Sequence, residues 1–471
     1  MSRTGSLIKN TIVFAIGSIG SKLLQFLLLP LYTRVLSDAQ YGTVDVLQSI
    51  ATVLIPLLSL TIYDGVFRYA MDKATDKRDA FSVGMHICLL STLIAVLGGG
   101  ACLFTGAPAG YVWAVVWYTV ANIFYTTVTQ FVRAVGHVRL YAISNILQTL
   151  LIVVFNVLFL VQLQLDIEGY MLGYTLSNAA VTLVVFLAAK LWKYYHPRLT
   201  DRQTFQRMLR YSIPLIPNAV CWWLTTTIGR MMITAFLGSE ANGPFAVAFK
   251  IPSIVTIAVG IFIQAWQMSA NTEFDAPDFA QYNSKMFSFL QTISFLLAAF
   301  LALCSKLIIS LMGADFQDAW VYIPVMLLGI AFFTFAQFLG SLYIASKRTV
   351  MAFVTNLVAA VLNILGNLWL LPKMGAMGAA VSIAGSYLIF WLLRLVDTRS
   401  ITKLTYDLPL LIGNTVLVAL ICLVVTLSIP NWIPIGLGLF IPLLALNGKN
   451  LLSLCRLLLQ QLKNRTGRAS Q

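Results

Sequence analysis

Val35-Leu36-Ser37-Asp38-Ala39-Gln40-Tyr41-Gly42 returns further along the chain as Phe236-Leu237-Gly238-Ser239-Glu240-Ala241-Asn242-Gly243, an offset of 201 residues (35 to 236). Each copy is a short polar turn between two long apolar runs. A second echo supports the first: Asn145 and Asn156 match Asn356 and Asn367, both displaced by 211 (145 to 356). Both offsets have the same sense, so the chain reads as two parallel halves. The spacing inside each Asn pair is about three helical turns, which places both members on one helix face. There they either line a polar cavity or hydrogen-bond to a neighbouring helix.

Around these turns the chain is apolar almost everywhere. Hydrophobic residues make up 59% and charged residues 10%, against about 25% charged in an ordinary soluble domain. A bilayer core about 30 Å thick needs about 20 apolar residues per helical crossing. Runs bounded by charge, Gly or Pro give fourteen such spans: 11–31, 43–67, 81–104, 111–132, 140–161, 169–189, 211–237, 244–268, 283–304, 322–344, 350–371, 375–393, 408–429 and 432–452. The predicted fold class is an all-α polytopic membrane protein. It has a six-span lobe over 1–195, a second over 196–400, and an accessory pair with a basic tail over 401–471.

The basic residues orient the chain. Of 31 Lys and Arg, 23 fall in the termini and the connections after even-numbered spans, and two more, Lys285 and Lys449, sit at the inner ends of spans nine and fourteen. Only Arg34, Lys306 and Lys373 fall on the other side. By the positive-inside rule both ends face the cytoplasm, which implies a multi-pass protein of the cytoplasmic (inner) membrane. The net charge of +14 is thus distributed for orientation, and nucleic acid is not an expected partner. The most basic connection, 190–210, joins the lobes.

Six cysteines sit in apolar segments without CxxC spacing or a nearby His at ligand spacing, so neither a disulfide framework nor a metal site is expected, and no cofactor. Arg3 and Lys9 precede a run that continues to Leu31 without a small-residue cleavage site, so it reads as a retained first span.

An ionisable residue at the centre of a span costs about 2.5–3.5 kcal/mol on insertion scales, which makes each one a functional candidate. Lys22 is about midway along span one, with Ser18 and Gln25 on the same face. It either faces substrate or pairs with Asp45 or Asp64. Arg230 continues a stripe of Asn218, Trp222 and Thr226 on span seven. Lys250 on span eight is followed by Ser253 and Gln264. Arg230 and Lys250 each lie roughly 10 Å from the outer end of their span, so they can share a depth. Asp45 reads as a first-turn carboxylate complementing the helix dipole. Asp64 and Arg68, four apart, read as an i,i+4 pair. The alternative for all three is coupling to an ion, H+ or Na+. Facing each other, the three central cations would suit a phosphate or diphosphate, Arg through its planar fork and Lys as a point charge.

Leu29-Pro30-Leu31-Tyr32-Thr33-Arg34-Val35-Leu36-Ser37 followed by Tyr41-Gly42 resembles the first hairpin of Wzx-type polysaccharide flippases. So do Tyr211-Ser212-Ile213-Pro214-Leu215-Ile216-Pro217-Asn218 and Gln264-Ala265-Trp266, and the six-plus-six-plus-two arrangement extends the resemblance over essentially the whole chain. It implies a member of the multidrug/oligosaccharidyl-lipid/polysaccharide exporter superfamily that moves a polyprenyl-diphosphate-linked oligosaccharide between leaflets, working among membrane lipids and other polysaccharide-assembly proteins. Lys22, Arg230, Lys250, Gln25, Asn218 and Gln264 would face substrate. Lipid II or teichoic-acid precursors are alternative cargoes, and a drug exporter of the same superfamily is an alternative function. A membrane polymerase or ligase fits less well. The outer connections are short, and His86, His137 and His196 have no evident catalytic partner, so a non-enzyme is expected.

Overall fold

The computed structural model describes residues 28–72, 75–196, 201–273, 277–346, 348–402 and 407–469. Among the described residues the structure is helical throughout. Lys22 and Gln25 lie outside them, as does the side chain of Gln264.

The chain forms two compact units, Met1–Gly243 and Pro244–Gln471. The first contains α1 (Leu29–Val35), α2 (Asp38–Ser59), α3 (Ile62–Met71), α4 (Lys77–Leu103), α5 (Ala109–Ala134), α6 (Val138–Asn156), α7 (Asp166–Ala188), α8 (Arg202–Ser212) and α9 (Ile216–Leu237). Helix α10 (Ser239–Glu273) begins in it. The second contains the rest of α10, then α11 (Phe279–Ile309), α12 (Ile323–Ala345), α13 (Thr349–Met374), α14 (Ala376–Asp397), α15 (Leu408–Thr426) and α16 (Trp432–Ala469).

Among the described residues eleven helices are long and apolar enough to cross a bilayer, or twelve when the segments Arg202–Leu224 and Thr227–Leu237, which meet at 53°, count as one span. Helix α5 falls short on apolarity because Trp113, Trp117, Tyr118, Asn122 and Gln130 dilute it. Its 26 residues nevertheless reach about 39 Å.

Span two differs from the continuous helix expected over 43–67. It starts earlier, at Asp38, because Ser37 and Gln40 form a capping box: the Ser37 hydroxyl accepts from the Gln40 N–H and the Gln40 side chain accepts from the Ser37 N–H. It then breaks between α2 and α3 at Leu60 and Thr61, both left-handed (φ 52° and 50°). Two consecutive non-glycine residues in that region are held only where the surroundings over-determine them. Here the Thr61 hydroxyl donates to the Ser212 carbonyl at 2.7 Å, and its N–H donates to the Pro56 carbonyl.

In the first unit α5 packs against α2, α3, α4 and α7. The core is built on Ile62, Val66, Phe81, Val128, Phe131 and Met208. Polar pairs register the helices: Ser91 donates to the Leu58 carbonyl (2.7 Å), Tyr125 to Asn145 (2.7 Å) and Gln148 to Asn178 (2.6 Å). In the second unit α12 packs against α11, α14 and α15 around Phe295, Phe332, Phe335 and Trp391. The accessory helices are fastened there by an amide seam. Asn414 and Asn447 exchange hydrogen bonds of 3.1 and 2.7 Å, Thr292 donates to Asn447 at 2.8 Å, and Asn450 reaches Ser288 and Thr292.

The repeated asparagines behave alike. Asn156 and Asn367 are both buried, and each donates to the carbonyl four residues back, Ile152 and Asn363. Asn145 and Asn356 each accept from a neighbouring helix, from Tyr125 and Arg394.

Candidate functional site: a sealed turn pair in the first unit

The repeated turns meet. Gly42, near the start of α2, lies against the Ser239 carbonyl and the Gly243 amide. Gly243, near the start of α10, lies against the Asp38 carbonyl. A Cβ on either glycine would overlap backbone, so only glycine permits this approach. The offset of 201 that equates Gly42 with Gly243 also equates Asp38 with Ser239. Each glycine therefore touches the other copy's counterpart of its own neighbour.

A charge pair locks the contact. Asp45 is two turns into α2, beyond the first-turn position expected for it, because the capping box starts the helix at Asp38. Its partner is Arg230 on α9, whose Nη1 donates to Asp45 Oδ1. The two side chains are 5% and 14% exposed, so the pair is largely out of water. Asn242, the counterpart of Tyr41, donates from Nδ2 to the Gly42 carbonyl (3.1 Å) and to Asp45 Oδ2 (3.4 Å). Below the pair, Trp223 Nε1 donates to the Ser49 carbonyl at 2.7 Å and holds α9 to α2.

The stripe of α9 that leads to Arg230 changes character along its length. Asn218 and Trp222 are exposed, the side chain of Thr226 is outside the described residues, and Arg230 is closed over by Asp45. One face of this helix is thus open toward its start and sealed toward its end. Beside the seal Tyr32, Tyr118, Tyr170 and Tyr174 form a buried cluster with ring centroids 4.8 to 6.2 Å apart, joined by a Tyr170–Tyr174 hydroxyl contact of 3.3 Å. These tyrosines are scattered over 143 positions (32 to 174) and have no local pattern by which sequence reasoning finds them.

Other candidates lie apart from this site. Asp64 and Arg68 are both on α3, and the ion pairs found among the described residues do not include them. Asp64 lies in the first turn of α3, created by the break at Leu60–Thr61. Lys250 belongs to the second unit, half-buried on α10, and its carbonyl accepts from the Ser253 hydroxyl. Among the described residues no group of three His, Cys, Asp or Glu side chains is placed to hold a metal ion.

A buried arginine that sequence reasoning assigned to an inner connection also emerges. Arg394 of α14 donates to the carbonyls of Ala336 (2.7 Å) and Ala352 (3.4 Å) and to Thr355 (3.1 Å) and Asn356 (3.2 Å), and lies over the Phe390 ring. It ties α12, α13 and α14 together and is a structural cation.

Comparison with known proteins places this architecture. Residues 7–267, more than half of the chain, match the family described as "Polysaccharide biosynthesis protein". No curated protein matches. Among solved structures the chain is similar to an inward-facing multidrug resistance MATE family transporter of the MOP superfamily (TM-score 0.65, 13% identity, 82% of this chain and 97% of that one). It is also similar to the lipid II flippase MurJ in an inward closed conformation (TM-score 0.64, 14% identity, 94% of this chain and 100% of that one). An outward-facing MATE family transporter gives a TM-score of 0.57 at 14% identity, over 83% of this chain and 94% of that one. At these identities the likeness is one of fold.

Proposed function

This chain belongs to the polysaccharide biosynthesis protein family, and from that premise we propose that it is a flippase carrying a polyprenyl-diphosphate-linked oligosaccharide from the inner to the outer leaflet. The fold is that of MOP-superfamily transporters, and its helices make it a multi-pass membrane protein. The fourteen-span count, the inward-facing ends and the inner-membrane location are parts of the proposal.

The observation that supports transport by alternating access is the mirrored seal of Gly42 and Gly243 under the Asp45–Arg230 pair. It joins two helix starts by a glycine contact, an ion pair and the Asn242 hydrogen bonds, and it lies at the end of an α9 stripe whose start, Asn218 and Trp222, is exposed. Such a contact can part as a unit. In the proposed cycle the diphosphate enters along that face past Asn218 and competes with Asp45 for the Arg230 fork, which accepts carboxylate or phosphate oxygens alike. Lys22, Gln25, Lys250 and Gln264 complete the substrate-facing set. The cations lower the cost of carrying a charged headgroup through a low-dielectric interior, while the polyprenyl tail stays in lipid. Asp45, Asp64 and Arg68 are the candidates for coupling to H+ or Na+.

Leaflet-resolved transport of a labelled polyprenyl-diphosphate sugar in vesicles tests this reading, with Lys22→Ala and Lys250→Ala beside the wild type. Transport should fall at least tenfold in both. Folded variants that transport normally would remove the cationic path. The likeness to MATE transporters favours drug export as the second reading. A deletion strain that keeps its surface polysaccharide but becomes drug-sensitive would establish that reading instead.

A further inference from the structure

The described parts of the connection between α7 and α9 are held to the first unit, and their cations are exposed. At its start the Ser82 hydroxyl of α4 accepts from the His196 N–H (2.8 Å) and donates to the Tyr194 carbonyl (3.3 Å). At its end α8 docks on α3. Met208 is fully buried in the cluster of Ile62 and Val66, and Tyr69 donates to the Arg207 carbonyl (3.2 Å). The Ser212 carbonyl accepts from Thr61, and Gly65 has no room for a Cβ against Ser212. The buried stripe Thr204, Met208 and Ser212 leaves Arg202, Gln206, Arg207 and Arg210 exposed on the other face. Lys190 and Lys193 are exposed at the end of α7, beside the exposed ring of Trp192.

Depth makes this more than a solvated charge run. The polar headgroup layer adds about 5–8 Å to each side of the hydrocarbon core. At a rise of about 1.5 Å per residue, Arg207 and Arg210 lie within that layer if the apolar stretch opens at Tyr211. Lys190 and Lys193 follow directly on the last apolar turn of α7. Trp192 and Tyr211 are amphipathic rings of the kind that settle at headgroup level. Asp201, the N-cap of α8, is held below the ordinary carboxyl range by hydrogen bonds from the Thr204 hydroxyl and the Gln203 N–H, and it pairs with Arg207 at 3.6 Å. Arg207 is therefore partly neutralised, whereas Lys190, Lys193 and Arg210 have no ion-pair partner among the described residues.

We propose that Lys190, Lys193 and the exposed basic face of α8 form a binding collar for anionic phospholipid headgroups, and that by holding α8 against α3 it sets the position of the part of span two beyond the Leu60–Thr61 break. The collar rests on the membrane-spanning fold and not on the identity of the cargo. Each basic residue near an anionic surface attracts it, and the attraction is screened by salt. Headgroups gathered around α8 fix the clamp of Met208, Ser212 and Tyr69, and the left-handed pair at Leu60–Thr61 is the joint on which α3 would otherwise swing.

The test uses the full-length protein in nanodiscs of phosphatidylcholine, with or without phosphatidylglycerol. Phosphatidylglycerol should raise the melting temperature by several degrees at low salt and by less at high salt. The Lys190→Gln/Lys193→Gln/Arg210→Gln variant should lose most of that rise while melting like the wild type in phosphatidylcholine alone. A triple substitution in the tail, Lys463→Gln/Arg465→Gln/Arg468→Gln, should keep it. Hydrogen exchange on the wild type requires no variant: amides of α3 should slow with phosphatidylglycerol and those of α15 should not. The collar is overturned if wild type gains nothing, if the collar variant keeps the full rise, or if the tail variant loses as much. Unchanged exchange in α3 would overturn the coupling to span two.

Discussion

Asp45 and Arg230 neutralise each other where both are largely out of water, so the consequences of removing one differ from those of removing both. Asp45→Asn leaves a buried guanidinium short of its counter-charge and should cost about 3 kcal/mol, read from thermal or denaturant unfolding in detergent. Asp45→Leu combined with Arg230→Met should recover most of that stability while still abolishing transport, which separates the pair's structural from its functional part. Both residues were legible as candidates because each breaks an apolar run. Their partnership was not, since 185 positions separate them and no local spacing encodes a contact of that range. Arg394 shows the opposite failure. A charge at the edge of an apolar run reads as the end of the span, so this residue, directly after Leu393, counts with the inner connection. In the structure, backbone carbonyls and an aromatic face replace its water.

At the scale of helices, two devices hold elements together, and they respond differently to substitution. The glycine crossing is steric. Gly42→Ala and Gly243→Ala should each force the turns apart, seen as a loss of crosslinking between cysteines placed at 38 and 239. Gly98→Ala, with open space around it, should change nothing. The amide seam is polar. Asn447→Leu removes three hydrogen bonds between α11, α15 and α16 and one within α16, and should lower stability by about 1–2 kcal/mol, given roughly 0.6 kcal/mol for an average interhelical bond in a membrane. The shared glycine requirement could be anticipated, because a repeated turn that ends in the same residue marks it. The break in span two could not. Leu60 and Thr61 are ordinary span residues, and the contacts that hold Thr61 left-handed come from Ser212, far along the chain.

For the molecule as a whole, the lopsided placement of Lys and Arg predicts which positions face each side. In a cysteine-free background, Arg34→Cys, Lys306→Cys and Lys373→Cys should react with an impermeant maleimide from outside intact cells. Arg139→Cys, Lys193→Cys and Arg399→Cys should react only after the inner face is opened, and a reversed pattern would overturn the orientation. Two of the three exceptions to the bias are accommodated by aromatic rings: Lys306 Nζ is 4.1 Å from the Trp320 ring centre and 4.8 Å from that of Trp432, and Lys373 Nζ is 3.9 Å from that of Trp369. The mirrored crossing at Gly42 and Gly243 carries an implication about symmetry. In a contact where residue i meets j and j meets i, the two surfaces are interchangeable, which is the signature of a two-fold interface between identical subunits. Two identical chains, each carrying one such turn, would form the same contact by two-fold pairing. The crossing tolerates a difference at the preceding position, Tyr41 in one turn and Asn242 in the other, as long as both glycines stay.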